Sequence, residues 1–314
     1  MRWLGLPLLI TACGSSPAGT VEPDGEVVLD AAHDAAIDAP ACGTRSDRRG
    51  KTTRTLEAGG LERRYHVYLP AAASPKAPMP LVYVHHGYTM SGDLMFDITR
   101  YAELADAEGI ALAFPDGQGG ALSAEAPWNV GEGVCNAVTG APPIATGDDF
   151  ALLDAIRADV SEDQCIDEHH VYATGFSMGG YFTHHAGCMR DDLRAIAPHS
   201  GGTHDLSGCT GGPKPVIIFH GTSDPVIPTS CGRSAADAWA QHNGCATTTT
   251  SRDVQGGTCV SYDGCPPGGQ VELCTFTLMG HCWAGGPLST GIYSCPPYAD
   301  ATALEWQFFK AYAW

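Results

Sequence analysis

From Tyr65 onward, short runs of β-branched and aromatic residues alternate with segments whose apolar positions recur every three or four residues. That rhythm belongs to a sheet covered by helices on both faces. The runs predict strands at 65–69, 81–86, 110–114, 170–174, 195–198, 216–220 and 271–278. Between them, Ile98, Tyr101 or Ala102, and Ala105 share one helical face before Gly109. Phe150, Leu153, Ile156 and Val160 share another, opened by Asp148 and Asp149, whose negative charge suits a helix N-terminus. Further helices are expected at 235–241 and 298–312, the second bringing Leu304 and Phe308 together. Two stretches, 116–147 and 246–270, show neither period and read as long loops, which in a compact domain are usually functional or clamped by disulfides. The expected fold class is α/β, with a mostly parallel central sheet.

The N-terminal end breaks this rhythm. Arg2 precedes an apolar run from Trp3 to Ile10, too short to span a bilayer and read as an export signal. Ile10-Thr11-Ala12-Cys13 resembles a bacterial lipobox. The resemblance implies a signal peptide over 1–12, a lipidated Cys13 and, with Gly14 next, an outer-membrane or cell-surface destination; an ordinary signal peptide cleaved nearby is the alternative. Residues 13–41 carry six carboxylates and no Lys or Arg, the composition of a solvated tether. The remaining 42–314 form one domain.

Charge and cysteine count narrow the partners. The 35 acidic against 17 basic side chains give −18, which repels phosphate backbones and anionic lipid. Nucleic acid is excluded as a partner, and the membrane is reached only through the lipid anchor. Of 13 cysteines, lipidation of Cys13 leaves an even number able to pair, which points to an oxidising compartment. With no C-x-x-C and no H-E-x-x-H, no metal site and no cofactor are expected.

Gly175-Phe176-Ser177-Met178-Gly179 follows a predicted strand and precedes a helix-compatible segment, the context of a nucleophile elbow. By composition alone such a pentapeptide arises in about a quarter of chains like this one, so its context carries the assignment. In an elbow fold the acid and then the histidine follow the serine, each after a strand. Asp224 leaves the apolar run Val216–His220 in such a turn, and His281 closes the run from Val271; His242, on a predicted helix, is the weaker base. The backbone amides of Met178 and Tyr88 are the expected oxyanion donors, with His86 and Gly87 structural. Trp128 and Trp283, with Tyr88, are candidates for an aromatic wall against the substrate. The adjacent pairs His169–His170 and His184–His185 are assigned to packing, because neighbours on one element point apart.

Together with Val82 to Gly87, Leu94 to Asp97, Phe114 to Gly117, Trp128-Asn129, Asp148 to Phe150, Cys165 to Asp167, His220 to Asp224 and Gly280 to Trp283, the elbow resembles the feruloyl esterase and polyhydroxybutyrate depolymerase family. The likeness covers most of 55–314. It implies an α/β-hydrolase fold without a separate lid domain, and a metal-free Ser177-Asp224-His281 triad working through an acyl-enzyme. It also implies action on small-molecule or polymer-linked esters, above all hydroxycinnamoyl esters of plant cell walls, and a monomer is expected. Polyester depolymerase and acetylxylan esterase are the nearest alternatives. A non-catalytic surface binding lipoprotein and an α/β-hydrolase peptidase are the more distant ones.

Overall fold

The computed structural model describes residues 42–45, 48–119, 125–141, 143 and 145–313. The expected signal peptide, Cys13 and tether lie outside them. Along the chain run β1 (Gly50–Ala58), β2 (Leu61–Leu69), β3 (Met79–His85), α1 (Gly92–Thr99), α2 (Tyr101–Glu108), β4 (Ala111–Pro115) and α3 (Asp149–Asp163). There follow β5 (Ile166–Phe176), α4 (Met178–Met189), β6 (Ala195–His199), β7 (Val216–Gly221) and α5 (Thr229–Asn243). The last are β8 (Thr249–Val254), β9 (Gly257–Tyr262), β10 (Val271–Phe276), β11 (Trp283–Ala284), β12 (Ser294–Cys295) and α6 (Ala301–Tyr312).

Ten strands form one sheet in the order β1-β2-β4-β3-β5-β6-β7-β10-β9-β8. The middle six are parallel, and an antiparallel pair flanks them at each edge. Alternate residues of the central strands feed opposite cores, as the strand period requires. Leu81, Tyr83, Val216 and Ile218 pack with Leu153 and Ile156 of α3, Phe182 of α4 and Trp239 of α5. Val82, Val84, Ile217 and Phe219 pack with Ile98 of α1, Tyr101 of α2, and Trp306 and Phe309 of α6. This is the α/β-hydrolase architecture anticipated from the apolar rhythm. Because the six central strands run the same way, the loops after β3, β5, β6, β7 and β10 open on one edge of the sheet.

Two expectations need correction. The stretch 246–270 is not a loop: it holds the hairpin β8–β9, turned through Gln255-Gly256 with Gly256 at φ 79°. Most of β8 is exposed, so its Thr, Ser, Arg and Asp residues carry no apolar alternation from which to read a strand. The helical face from Ile98 to Ala105 is split between α1 and α2 at Arg100, which sits at φ 53°. That left-handed residue ends the first helix and begins the second, while the Thr99 hydroxyl before it donates to the Met95 carbonyl.

All twelve cysteines of 42–314 pair: Cys42–Cys165, Cys135–Cys231, Cys188–Cys209, Cys245–Cys265, Cys259–Cys274 and Cys282–Cys295. An oxidising environment is what such a set requires. Cys42–Cys165 closes the longest loop, its ends separated by 123 positions in sequence. In the chain-entropy treatment a closure of that length contributes up to about 5 kcal/mol. Replacing both cysteines by Ala is therefore expected to lower the urea midpoint of unfolding more than the same change at Cys282–Cys295, which spans 13 residues. Equal losses would show that native-state packing, and not chain entropy, sets the contribution.

Candidate active site

Strand β5 passes into α4 with a single residue between them, Ser177. The reversal forces that residue to φ 58° and ψ −118°, a region that costs a non-glycine residue about 1–3 kcal/mol. It also brings neighbouring backbone too close for side chains. A Cβ on Gly179 would lie 2.2 Å from the His85 carbonyl, and one on Gly175 would lie 2.4 Å from the Gly179 carbonyl. Hence the glycines flanking the serine. The Ser177 amide donates to the His199 carbonyl of β6 at 2.9 Å, while its hydroxyl makes no cap to its own helix. A serine at a helix start ordinarily caps it; here the hydroxyl is left for another task.

Asp224 follows β7 and His281 follows β10, strands that lie side by side. Their loops are sewn together: Thr222 N–H donates to the Phe276 carbonyl at 2.9 Å, Leu278 N–H to Thr222 Oγ1 at 2.8 Å and Ser223 N–H to the Met279 carbonyl at 3.0 Å. That stitching sets His281 Nδ1 2.7 Å from Asp224 Oδ2. The other carboxylate oxygen, Oδ1, accepts from the Val226 and Ile227 amides at 2.8 and 2.9 Å. Burial pulls the Asp224 pKa upward, but the His281 bond and these amides outweigh it and hold the carboxyl below its usual range. Asp224 is thus ionised at neutral pH, and the stability it contributes is lost only as pH falls through that lowered value. An anion accepting from Nδ1–H leaves Nε2 of His281 with its lone pair, the form of a general base. The imidazole lies tilted on the Phe176 ring, centroids 4.7 Å apart, immediately before Ser177 in sequence.

Met178 is the first residue of α4, so its N–H has no partner within the helix. The Gly87–Tyr88 segment reaches the same spot, since a Cβ on Gly87 would sit 3.2 Å from Ser177 Cβ. His86 holds that segment through both ring nitrogens. Nδ1 donates to the Gly87 carbonyl at 2.7 Å, and Nε2 accepts from the Gly117 amide at 2.8 Å. Burial lowers the His86 pKa and so keeps the neutral tautomer that this pairing needs.

Trp128 and Trp283, expected to face the substrate, do not. Both are buried, at 0% and 1% exposure. The Trp128 indole donates to the His86 carbonyl at 2.8 Å and stacks on Phe182, so it braces the Tyr88 loop from inside. Trp283 stacks on His199 at 3.7 Å and donates to Thr302 of α6. His242 lies on α5 next to Trp239, away from the β7 and β10 loops, and His184 is buried against the Trp239 indole nitrogen at 2.9 Å.

Sequence reasoning missed the apolar residues that do reach solvent near Asp224 and His281: Leu278 (78% exposed), Val138 (64%) and Val226 (39%). Val226 gives its amide to Asp224, Val138 donates its own to the Val226 carbonyl at 2.8 Å, and Leu278 precedes His281 by three residues. An isolated apolar side chain in a loop carries no periodic signal, so only the fold gathers these three. Cys259, Glu272 and Cys274 form the one cluster of metal-ligand type among the described residues, but its two sulfurs are joined in a disulfide.

If the Ser177 backbone is strained as its dihedrals indicate, Ser177→Gly raises stability by about 1 kcal/mol. The relieved strain exceeds the extra freedom that glycine has in the unfolded chain. A urea midpoint at or below that of the parent protein would contradict this.

No family profile matches the chain. Among proteins of known function it is 31% identical over 260 residues to feruloyl esterase C of Emericella nidulans, covering 79% of this chain and 84% of that one. It is 31% identical over 247 residues to feruloyl esterase D of Neurospora crassa, covering 76% and 80%. Among solved structures, acetyl xylan esterase from Aspergillus awamori superposes with a TM-score of 0.57 over 73% of this chain and 94% of its own, at 14% identity.

Proposed function

The chain belongs to the feruloyl esterase family and is a carboxylic ester hydrolase, and we propose that it uses Ser177 to cleave hydroxycinnamoyl esters carried on plant cell-wall polysaccharide. The observation that carries the reading is the 2.7 Å bond from His281 to a buried, ionised Asp224, on loops that open beside the strained serine. His281 Nε2 takes the Ser177 proton as the hydroxyl oxygen attacks the ester carbonyl. The amides of Met178 and Tyr88 receive the oxyanion. Collapse of the tetrahedral intermediate expels the alcohol, protonated by His281, and water attacks the acyl-enzyme by the same route in reverse. Asp224 fixes the tautomer throughout and stabilises the imidazolium that forms.

Leu278, Val226 and Val138 supply the acyl-side surface that Trp128 and Trp283 do not. An aromatic acyl group gains from burial on such a rim, whereas an acetyl group covers little of it. The expected kinetics follow. Ser177→Ala abolishes turnover of methyl ferulate, and Asp224→Asn lowers kcat by about 10³–10⁴-fold with little change in KM. Leu278→Ala raises KM for methyl ferulate more than for p-nitrophenyl acetate. Full activity in Ser177→Ala overturns the mechanism, and preference for a hydroxybutyrate oligomer over the ferulate overturns the substrate.

Export and anchoring complete the reading. Six disulfides call for an oxidising compartment, and the sequence before them carries an apolar run, Trp3 to Ile10, that ends three residues before Cys13. With Cys13 as the lipidated residue, the protein made in a bacterial host incorporates labelled palmitate, and Cys13→Ala incorporates none. Label persisting in Cys13→Ala would place the lipid elsewhere.

A further inference from the structure

Behind the serine lies a buried acid that the mechanism does not use. Glu305 of α6 is fully buried, and its Oε2 is 2.9 Å from Thr174 Oγ1 and 2.8 Å from His199 Nε2. Thr174 Oγ1 is in turn 2.7 Å from the Ala197 carbonyl. Each of these three contacts needs one hydrogen between its atoms. A carbonyl only accepts, so the single Thr174 proton belongs to the Ala197 bond. Thr174 must then accept from Glu305, and Glu305 Oε2 must carry a proton. The bond to His199 is completed by Nε2–H of a neutral imidazole. With Glu305 ionised, two protons would have to serve three contacts. The chain that satisfies all of them runs from His199 Nε2–H to Glu305 Oε2–H to Thr174 Oγ1–H to the Ala197 carbonyl.

Each link touches the active site. Thr174 lies three residues before Ser177 on β5, and the His199 carbonyl is the acceptor for the Ser177 amide. The His199 ring is sandwiched between Phe219 of β7 at 4.4 Å and Trp283 at 3.7 Å, and Trp283 is two residues from His281. Thr302, one turn before Glu305 on the same helix, accepts from the Trp283 indole at 3.1 Å. One face of α6 therefore holds the strand that presents the serine, the carbonyl that pins its amide and the segment that carries the base.

We propose that Glu305 is a permanently protonated carboxylic acid whose hydrogen bonds to Thr174 and His199 position the nucleophile elbow and the His281 loop. The proposal rests on Ser177 and His281 as nucleophile and base. Burial favours both neutral forms, raising the Glu305 pKa well above and lowering that of His199 well below its usual value. Tyr101 of α2 and Asp300 at the start of α6 are the other ionisable groups acting on the carboxyl: the Tyr101 hydrogen bond favours its ionised form, the Asp300 charge favours the neutral one, and burial, the largest influence, also favours the neutral form.

The full chain carrying Glu305→Gln or Glu305→Leu tests this. The Gln amide donates to Thr174 and, once His199 takes its other tautomer, to that ring as well. Glu305→Gln is therefore expected to keep kcat on methyl ferulate within about 3-fold of the parent. Glu305→Leu is expected to lose about tenfold or more in kcat with a smaller change in KM, and to label with a fluorophosphonate more slowly by a similar factor. A Gln variant as impaired as the Leu variant would mean that the carboxylate charge is needed, and a Leu variant with parental kcat would remove the positioning role. Should the Leu variant not fold, the infrared difference between the parent and Glu305→Gln at neutral pH still decides the protonation state. The carbonyl stretch of a buried carboxylic acid, lost in the variant, is expected; a carboxylate band in its place overturns the proposal. Activity retained in Ser177→Ala would instead refute the serine reading and leave the infrared result to judge Glu305 independently.

Discussion

A serine bent to φ 58° and ψ −118° between a strand and a helix is unstable by itself, and much of the surrounding packing exists to hold it there. The bend requires α4 to start at once against the end of β3, which excludes any side chain at Gly179. It requires an acceptor for the Ser177 amide, which β6 provides through His199. It also requires that β5 not slide along its length. Six parallel strands with apolar side chains on both faces oppose that slide, because a shift of one residue would exchange the two cores.

Given the bend, the parallel sheet does the rest by direction. Each loop that leaves a central strand at its C-terminal end arrives on the same edge, so an amide after β3, a hydroxyl after β5, a carboxylate after β7 and an imidazole after β10 share that edge without any of them being neighbours in sequence. What remains is to immobilise the loops. Hydrogen bonds between the β7 and β10 turns do so for Asp224 and His281, while Trp128 and His86 do so for the Tyr88 segment. Cys135–Cys231 ties the long connection that carries Trp128 and Val138 to α5, and Cys282–Cys295 closes the segment that follows His281.

Polar groups beneath the site work mainly in their uncharged forms. Burial lowers the pKa of His86, His199 and His220, and each pairs with a carbonyl or with a buried acid in place of a solvated charge. Asp224 is the exception, held ionised by its bonds to His281 and two amides. That one fixed negative charge among neutral histidines orients the His281 ring through its bond to Nδ1.

Much of this was legible in the chain alone. Apolar runs of four to six residues mark the buried central strands, because strands covered on both faces must be apolar throughout, and the flanking glycines of Ser177 are dictated locally by the turn they permit. Asp224 and His281 could be chosen because each directly follows such a run. The edge hairpin β8–β9 escaped because an edge strand exposed on both faces has no alternation to read, and the α1–α2 break escaped because it turns on Arg100, a non-glycine residue in the left-handed region that no apolar pattern marks. Only the tertiary structure decided which tryptophans face inward, which exposed apolar side chains gather by the Asp224 and His281 loops, and that a glutamate 128 positions after Ser177 lies under its strand. Burial and long-range pairing are properties of the packed elements together, and no periodicity within a single segment encodes them.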